Sequence, residues 1–223
     1  MVDCPTHWFD WSDETHVIEY GKHDLRNSYE TTLLHEYLHA LFHEAFPLRI
    51  PDEYRCQSWQ KEAAFCKEFM DFLDCVSDLF VNSRMMQLCP EETRTWILAA
   101  RDELIDQIRP GMPSRGNMNT NKAIVGFYFA QSARLLKDFE FPQIHDIQIQ
   151  RVYDLFMTAP TAPAFDNLYD TARRLFEIFD TFTIHEVRDE SQECWEVREV
   201  STGKAFLRVE VLRGHAWRGQ DGE

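Results

Sequence analysis

The stretch Thr31–Glu44, TTLLHEYLHALFHE, decides how the rest of the chain is read. Leu33, Leu34, Tyr37, Leu38, Leu41 and Phe42 recur at helical spacing, Asn27 followed by Glu30 has the form of a capping box, and Pro47 ends the run. The pattern predicts one amphipathic helix carrying His35, Glu36 and His39 as H-E-x-x-H. Residues four apart lie one turn along the same face, so both imidazoles can converge on one ion while Glu36 reaches the water it holds. With a third protein ligand, a tetrahedral Zn²⁺ keeps one position open, which separates catalytic from structural zinc, and such an ion acidifies its water toward neutrality. The expected chemistry is hydrolysis by metal-activated water, with Glu36 as general base taking the proton and passing it to the leaving amine.

The motif does not identify the third ligand. His43 continues the series, but on an unbroken helix its alpha carbon lies ~12 Å from that of His35. Three rings in a row cannot surround a tetrahedral ion, so His43 is expected as a cleft-wall or outer residue, or simply exposed. The later stretch Phe72–Asn82, FLDCVSDLFVN, offers Asp74, Asp78 and Asn82 at four-residue spacing. Asp78 is the first choice because it sits among Val76, Leu79, Phe80 and Val81, where an unpaired charge is costly. Asp74 is the alternative, and Asn82 or Asp74 is expected to orient a ligating histidine through its other ring nitrogen. Glu62 and Glu68 are weaker substitutes.

Outward from these motifs the chain reads as mainly helical. A short strand is expected over Thr15–Lys22, and further helices over Trp59–Arg84, from Pro90 to before Pro110, and over Lys122–Lys137, His145–Thr158 and Ala164–Phe179. The segment Gly111–Asn121, GMPSRGNMNTN, reads as a loop. After Thr181 the texture becomes alternating, with Trp195, Val197 and Val200 facing Phe206, Val209 and Val211 across a turn at Ser201–Lys204. The fold class expected is therefore α+β, mainly helical, with a small sheet at the site edge and a C-terminal β-hairpin. Residues 1–180 form the helical domain, and 181–223 a hairpin appendage packed on it.

Composition narrows the function classes. A chain of 223 residues with 44% hydrophobic content can bury a real core. Lys plus Arg number 23 against 38 Asp plus Glu, so no broad basic surface favours nucleic acid or an anionic membrane. No secretory leader or membrane-length apolar run is read, and the six cysteines form no CxxC pair, so a cytoplasmic protein without disulfides is expected.

The H-E-x-x-H helix, the strand before it and the acidic helix after it resemble the zincin metallopeptidases of the gluzincin-like kind. The resemblance covers about Thr15–Arg84 and implies a zincin-like core in which a second helix brings the third ligand. The typical Glu-x-x-x-Asp second motif corresponds to Asp74 and Asp78, with Asp in place of Glu. Some uncharacterised bacterial metallopeptidase-like proteins carry Asp-x-x-x-Asn, which Asp78 and Asn82 match. A Zn²⁺-dependent peptidase acting on a peptide or protein is the implied function. A non-proteolytic binding or scaffold protein with a structural metal site is the alternative.

Overall fold

The computed structural model describes residues 6–10, 15–19, 29–49, 61–107, 118–136, 145–188 and 193–212. It is α+β and mainly helical, as the periodicity predicts. Strands β1 (Thr6–Asp10) and β2 (Thr15–Glu19) form an antiparallel hairpin, with Thr6 opposite Glu19, that packs on helix α1 (Tyr29–Ala45). β2 begins where the sequence places it, and the expected residues 20–22 lie outside the described ones. β1 has no counterpart in the sequence reading.

Helix α2 (Lys61–Leu88) is the central rod, packing on α1, α3, α4 and α6. It continues past Arg84, because Met85 is fully buried and extends the apolar face by another turn. Helix α3 (Pro90–Gln107) follows at once, with proline in the first-turn position that needs no N–H. Helix α4 (Met118–Leu136) starts inside the segment expected to be a loop, of which residues 111–117 lie outside the described ones. Its first turn is held by tertiary bonds. Asn119 Nδ2 donates to Glu68 Oε1 at 3.0 Å and to Thr181 Oγ1 at 3.1 Å, and the Thr120 hydroxyl donates to Asp71 Oδ2 at 3.3 Å. These bonds offset the weak helix propensity of Asn and Thr. Because Glu68 pairs with Asn119 and Asp71 with Thr120, α2 and α4 run parallel.

Helix α5 (Ile147–Thr158) is capped by Asp146, whose carboxylate accepts from the backbone N–H groups of Gln148 and Ile149. It crosses α4 at Gly126, where a Cβ would stand 2.6 Å from Val152 Cβ, so only glycine permits this approach. Helix α6 (Phe165–Phe179) ends at Asp180 in the left-handed conformation. Its Phe176 stacks on Phe69 of α2 at 5.4 Å and meets Phe182 at 5.7 Å, linking the bundle to the sheet. Each such ring, taken fully out of water, contributes about 1.5–3 kcal/mol.

The sheet has four antiparallel strands in the order β3-β6-β5-β4, formed by β3 (Leu48–Arg49), β4 (Phe182–Arg188), β5 (Glu193–Glu199) and β6 (Ala205–Val211). The expected hairpin is its β5–β6 pair, with Trp195 opposite Val209 and Val197 opposite Leu207. Val200 departs from the prediction. It lies in the turn and is exposed, because Gly203 at φ 66 donates its N–H back to Glu199 and starts the reversal one residue earlier. Two strands were not foreseen: β4 covers one side of the hairpin, and β3 pairs Leu48 with Val211 on the other. That pairing ties the end of α1 to the last strand. No helix among the described residues is long and apolar enough to cross a membrane.

Candidate metal centre

The apolar face of α1 seats Leu38 and Phe42 against α2, with Phe42 stacked on Phe80 at 5.5 Å. That docking turns His35 and His39 toward the acidic turn of α2. Nε2 of His39 lies 2.8 Å from Oδ1 of Asp78 and 3.0 Å from Nε2 of His35, while Nε2 of His35 lies 3.3 Å from the same Oδ1. Among the described residues this is the one group of three such side chains whose donor atoms converge.

Protons alone do not satisfy this triangle. A neutral imidazole nitrogen either donates or accepts, so the His35–His39 contact and both contacts to Asp78 cannot all be favourable with neutral rings. A divalent cation accepts all three lone pairs. The three atoms surround a point about 1.8 Å from each, just inside the ~2.0–2.2 Å bonds that zinc makes to nitrogen and carboxylate oxygen, so an ion reaches all three at ordinary lengths. The donor set fits zinc.

Electrostatics point the same way. Burial works to raise the Asp78 carboxyl, but the hydrogen bonds and charges of His35 and His39 hold it well below the usual carboxylate range. Burial alone lowers His39, yet the Asp78 hydrogen bond and the charges of Asp78, Glu36 and Asp74 outweigh it and leave His39 raised. Glu36 is half-buried on α1, near enough to His39 to contribute to that field.

The other expected residues take different places. Asp74 is exposed, one turn earlier on α2 and outside the donor triangle. Glu68 is buried and bonded to Asn119, and the side chain of Glu62 lies outside the described ones. His43 stands against His16 of β2, ring centroids 5.7 Å apart, and takes no part in the triangle. Asn82 orients no histidine among the described residues: it is fully buried, and neither of its amide atoms makes a hydrogen bond with any of them. Nδ1 of His35 is likewise buried without a hydrogen bond among the described residues. The His35 ring is held instead by packing on Trp96 of α3, at 4.8 Å.

Trp96 and Tyr128 are the site residues that sequence reading misses. Tyr128 of α4 meets Trp96 at 6.2 Å, and the parallel register of α2 and α4 sets it level with Asp78. Its hydroxyl bonds to no group among the described residues. Burial, then the charge of Asp78, push the phenol well up, so it keeps its proton at neutral pH. Only an aromatic on a helix face marks either residue in the sequence, and many core positions share that mark.

No family model, curated protein or solved structure matches this chain.

Proposed function

We propose that the chain is a zinc-dependent metallopeptidase of zincin type that hydrolyses peptide bonds with Glu36 as general base. The observation that carries this reading is the convergence of His35 Nε2, His39 Nε2 and Asp78 Oδ1, all within 3.3 Å of one another, beside the Glu36 of an H-E-x-x-H helix. A divalent ion held there supplies Lewis acidity, polarising a carbonyl and easing deprotonation of water. Glu36 accepts the proton of the attacking water and returns it to the leaving amine nitrogen. Tyr128 donates its hydroxyl to the carbonyl oxygen as negative charge develops there. Asp78, half-buried beside the two rings, keeps both histidines turned to one point. A peptide or protein is the substrate. The free thiols Cys75, Cys89 and Cys194 support a reducing compartment, the cytoplasm.

A structural metal site in a scaffold protein is the second reading, favoured by the limited exposure of the three side chains, 8% for His35 and 17% for His39 and Asp78. Visible spectroscopy of a cobalt-substituted sample separates the two, since an exchangeable solvent ligand requires an open position.

The test compares the full chain with Glu36→Gln, measuring bound zinc and cleavage of a fluorogenic peptide library. One zinc per chain in both proteins, with cleavage at least about a hundredfold slower in the variant, is the expected result. Failure to retain any transition ion, or equal cleavage by both, removes the mechanism.

A further inference from the structure

A concavity lies between α1, α2 and the turn that precedes α6, and it contains none of the residues of the metal triangle. Its volume is about 310 Å³, at the small end of the range for ligand pockets. Leu38, Phe42, Phe80 and Val81 make an apolar floor, and Pro163 adds an apolar wall. The polar side is built around Arg84.

Acidic residues outnumber basic ones by 38 to 23, yet among the described residues the guanidinium of Arg84, like those of Arg94, Arg134 and Arg151, pairs with no carboxylate. It donates one bond, from Nη1 to Oε1 of Gln87 at 2.9 Å. A guanidinium carries five N–H donors in a flat fork, so most of its capacity is left unspent at the pocket wall. The rim opposite is fixed, since Asn167 Nδ2 donates to the Ala162 carbonyl at 2.8 Å. Helix α6 starts just beyond, and Ala164 at its cap offers no side-chain acceptor, so its first amides add positive potential that Asp166 offsets only in part.

We propose that this pocket binds a carboxylate carried on a small apolar body, the carboxylate paired with Arg84 and the body seated on Leu38, Phe42, Phe80 and Val81. One fork with an apolar floor selects a single anionic group on a compact aromatic or branched tail. A polyanion would leave charge beyond what one guanidinium can pair on a chain of net charge −15, and a neutral apolar molecule would leave the guanidinium unpaired. The site is independent of the metal triangle and of the peptidase reading.

Isothermal titration on the full chain, with and without zinc, tests it using four probes. These are phenylacetate, phenylacetamide, and a short acetylated peptide ending in leucine as the free acid and as the amide. The acids should bind at least about tenfold more tightly than the amides, the ratio expected for one charge-assisted bond. Tighter binding of phenylacetate marks the ligand as a free organic acid, and tighter binding of the peptide acid marks it as a chain terminus; both uphold the site. Arg84→Gln removes the charge, and Gln87→Glu, on an exposed residue that leaves the fold alone, supplies Arg84 with an internal carboxylate. Each should weaken acid binding at least about tenfold. Equal binding of acids and amides, undiminished binding by both variants, or binding of none of the probes overturns the proposal.

Discussion

Asp78→Asn keeps the shape of the proposed third ligand and removes its charge. In the parent, Oδ1 accepts from His39 at 2.8 Å and lies 3.3 Å from His35, so one strong charge-assisted contact and one longer one depend on it. A charge-assisted hydrogen bond is worth about 1.5–3 kcal/mol and a neutral one about 1, so the amide, which still accepts, loses about 1–2 kcal/mol of metal-free stability. For a chain of this size that lowers Tm by about 2–8 °C. The zinc-bound state suffers more, because an anionic ligand becomes a neutral one. Outer residues that merely orient ligands are worth about 10–100-fold in affinity, so loss of a direct ligand should weaken zinc at least about a hundredfold. Calorimetry in a chelator measures the first effect, and competition with a chromophoric chelator the second. If the variant is folded and binds zinc within about threefold of the parent, a shift too small for a lost ligand, Asp78 is not one and the triangle is only a hydrogen-bonded cluster.

Tyr128→Phe should lower kcat about 10²–10³-fold while zinc affinity stays unchanged, which paired kinetic and metal titrations will read; unaltered kcat removes the hydroxyl from the reaction. His43 is lowered to about 4 by burial and then by the facing charge of His16, against the raising effects of the Leu48 carbonyl and Glu44. The unfolded chain therefore takes up a proton first. Stability tied to neutral His43 is complete above pH ~6.5 and drains as pH falls toward about 4, by up to about 3 kcal/mol. Denaturant melts across that range should show this slope, and His43→Gln should flatten it. Gly126→Ala drives a methyl to 2.6 Å from Val152 Cβ and 2.9 Å from the Ile149 carbonyl. Overpacking should cost about 1–3 kcal/mol, and a melting temperature equal to that of the parent would show that α4 and α5 do not approach so closely.

What the sequence makes legible is whatever depends on local spacing. His35 and His39 share a face because they are four residues apart, and Asp78 announces itself as a carboxylate in an apolar run. The helices follow from their periodicity and proline boundaries. Features set by distant partners stay hidden. The start of α4 at Met118 depends on Glu68, Asp71 and Thr181, which outweigh the turn-forming tendency of GNMNTN. β3 has two residues and therefore no period to read. Trp96 and Tyr128 reach the site through the packing of α3 and α4, and nothing in their neighbours distinguishes them from core aromatics. The expectation for Asn82 fails for a related reason: helical spacing fixes a face but not which ring nitrogen that face will meet.

The joining of Leu48 to Val211 has a consequence for the order of folding. The strand that anchors the tail of α1 comes about 160 residues later in the chain, and contacts so remote in sequence are slow to close. The histidine-bearing helix therefore gains its clasp late, after the more local helix contacts have formed. Arrested chains ending before Ala205 should exchange the amide hydrogens of α1 faster than released protein, and equal protection would show that the helix matures without its clasp.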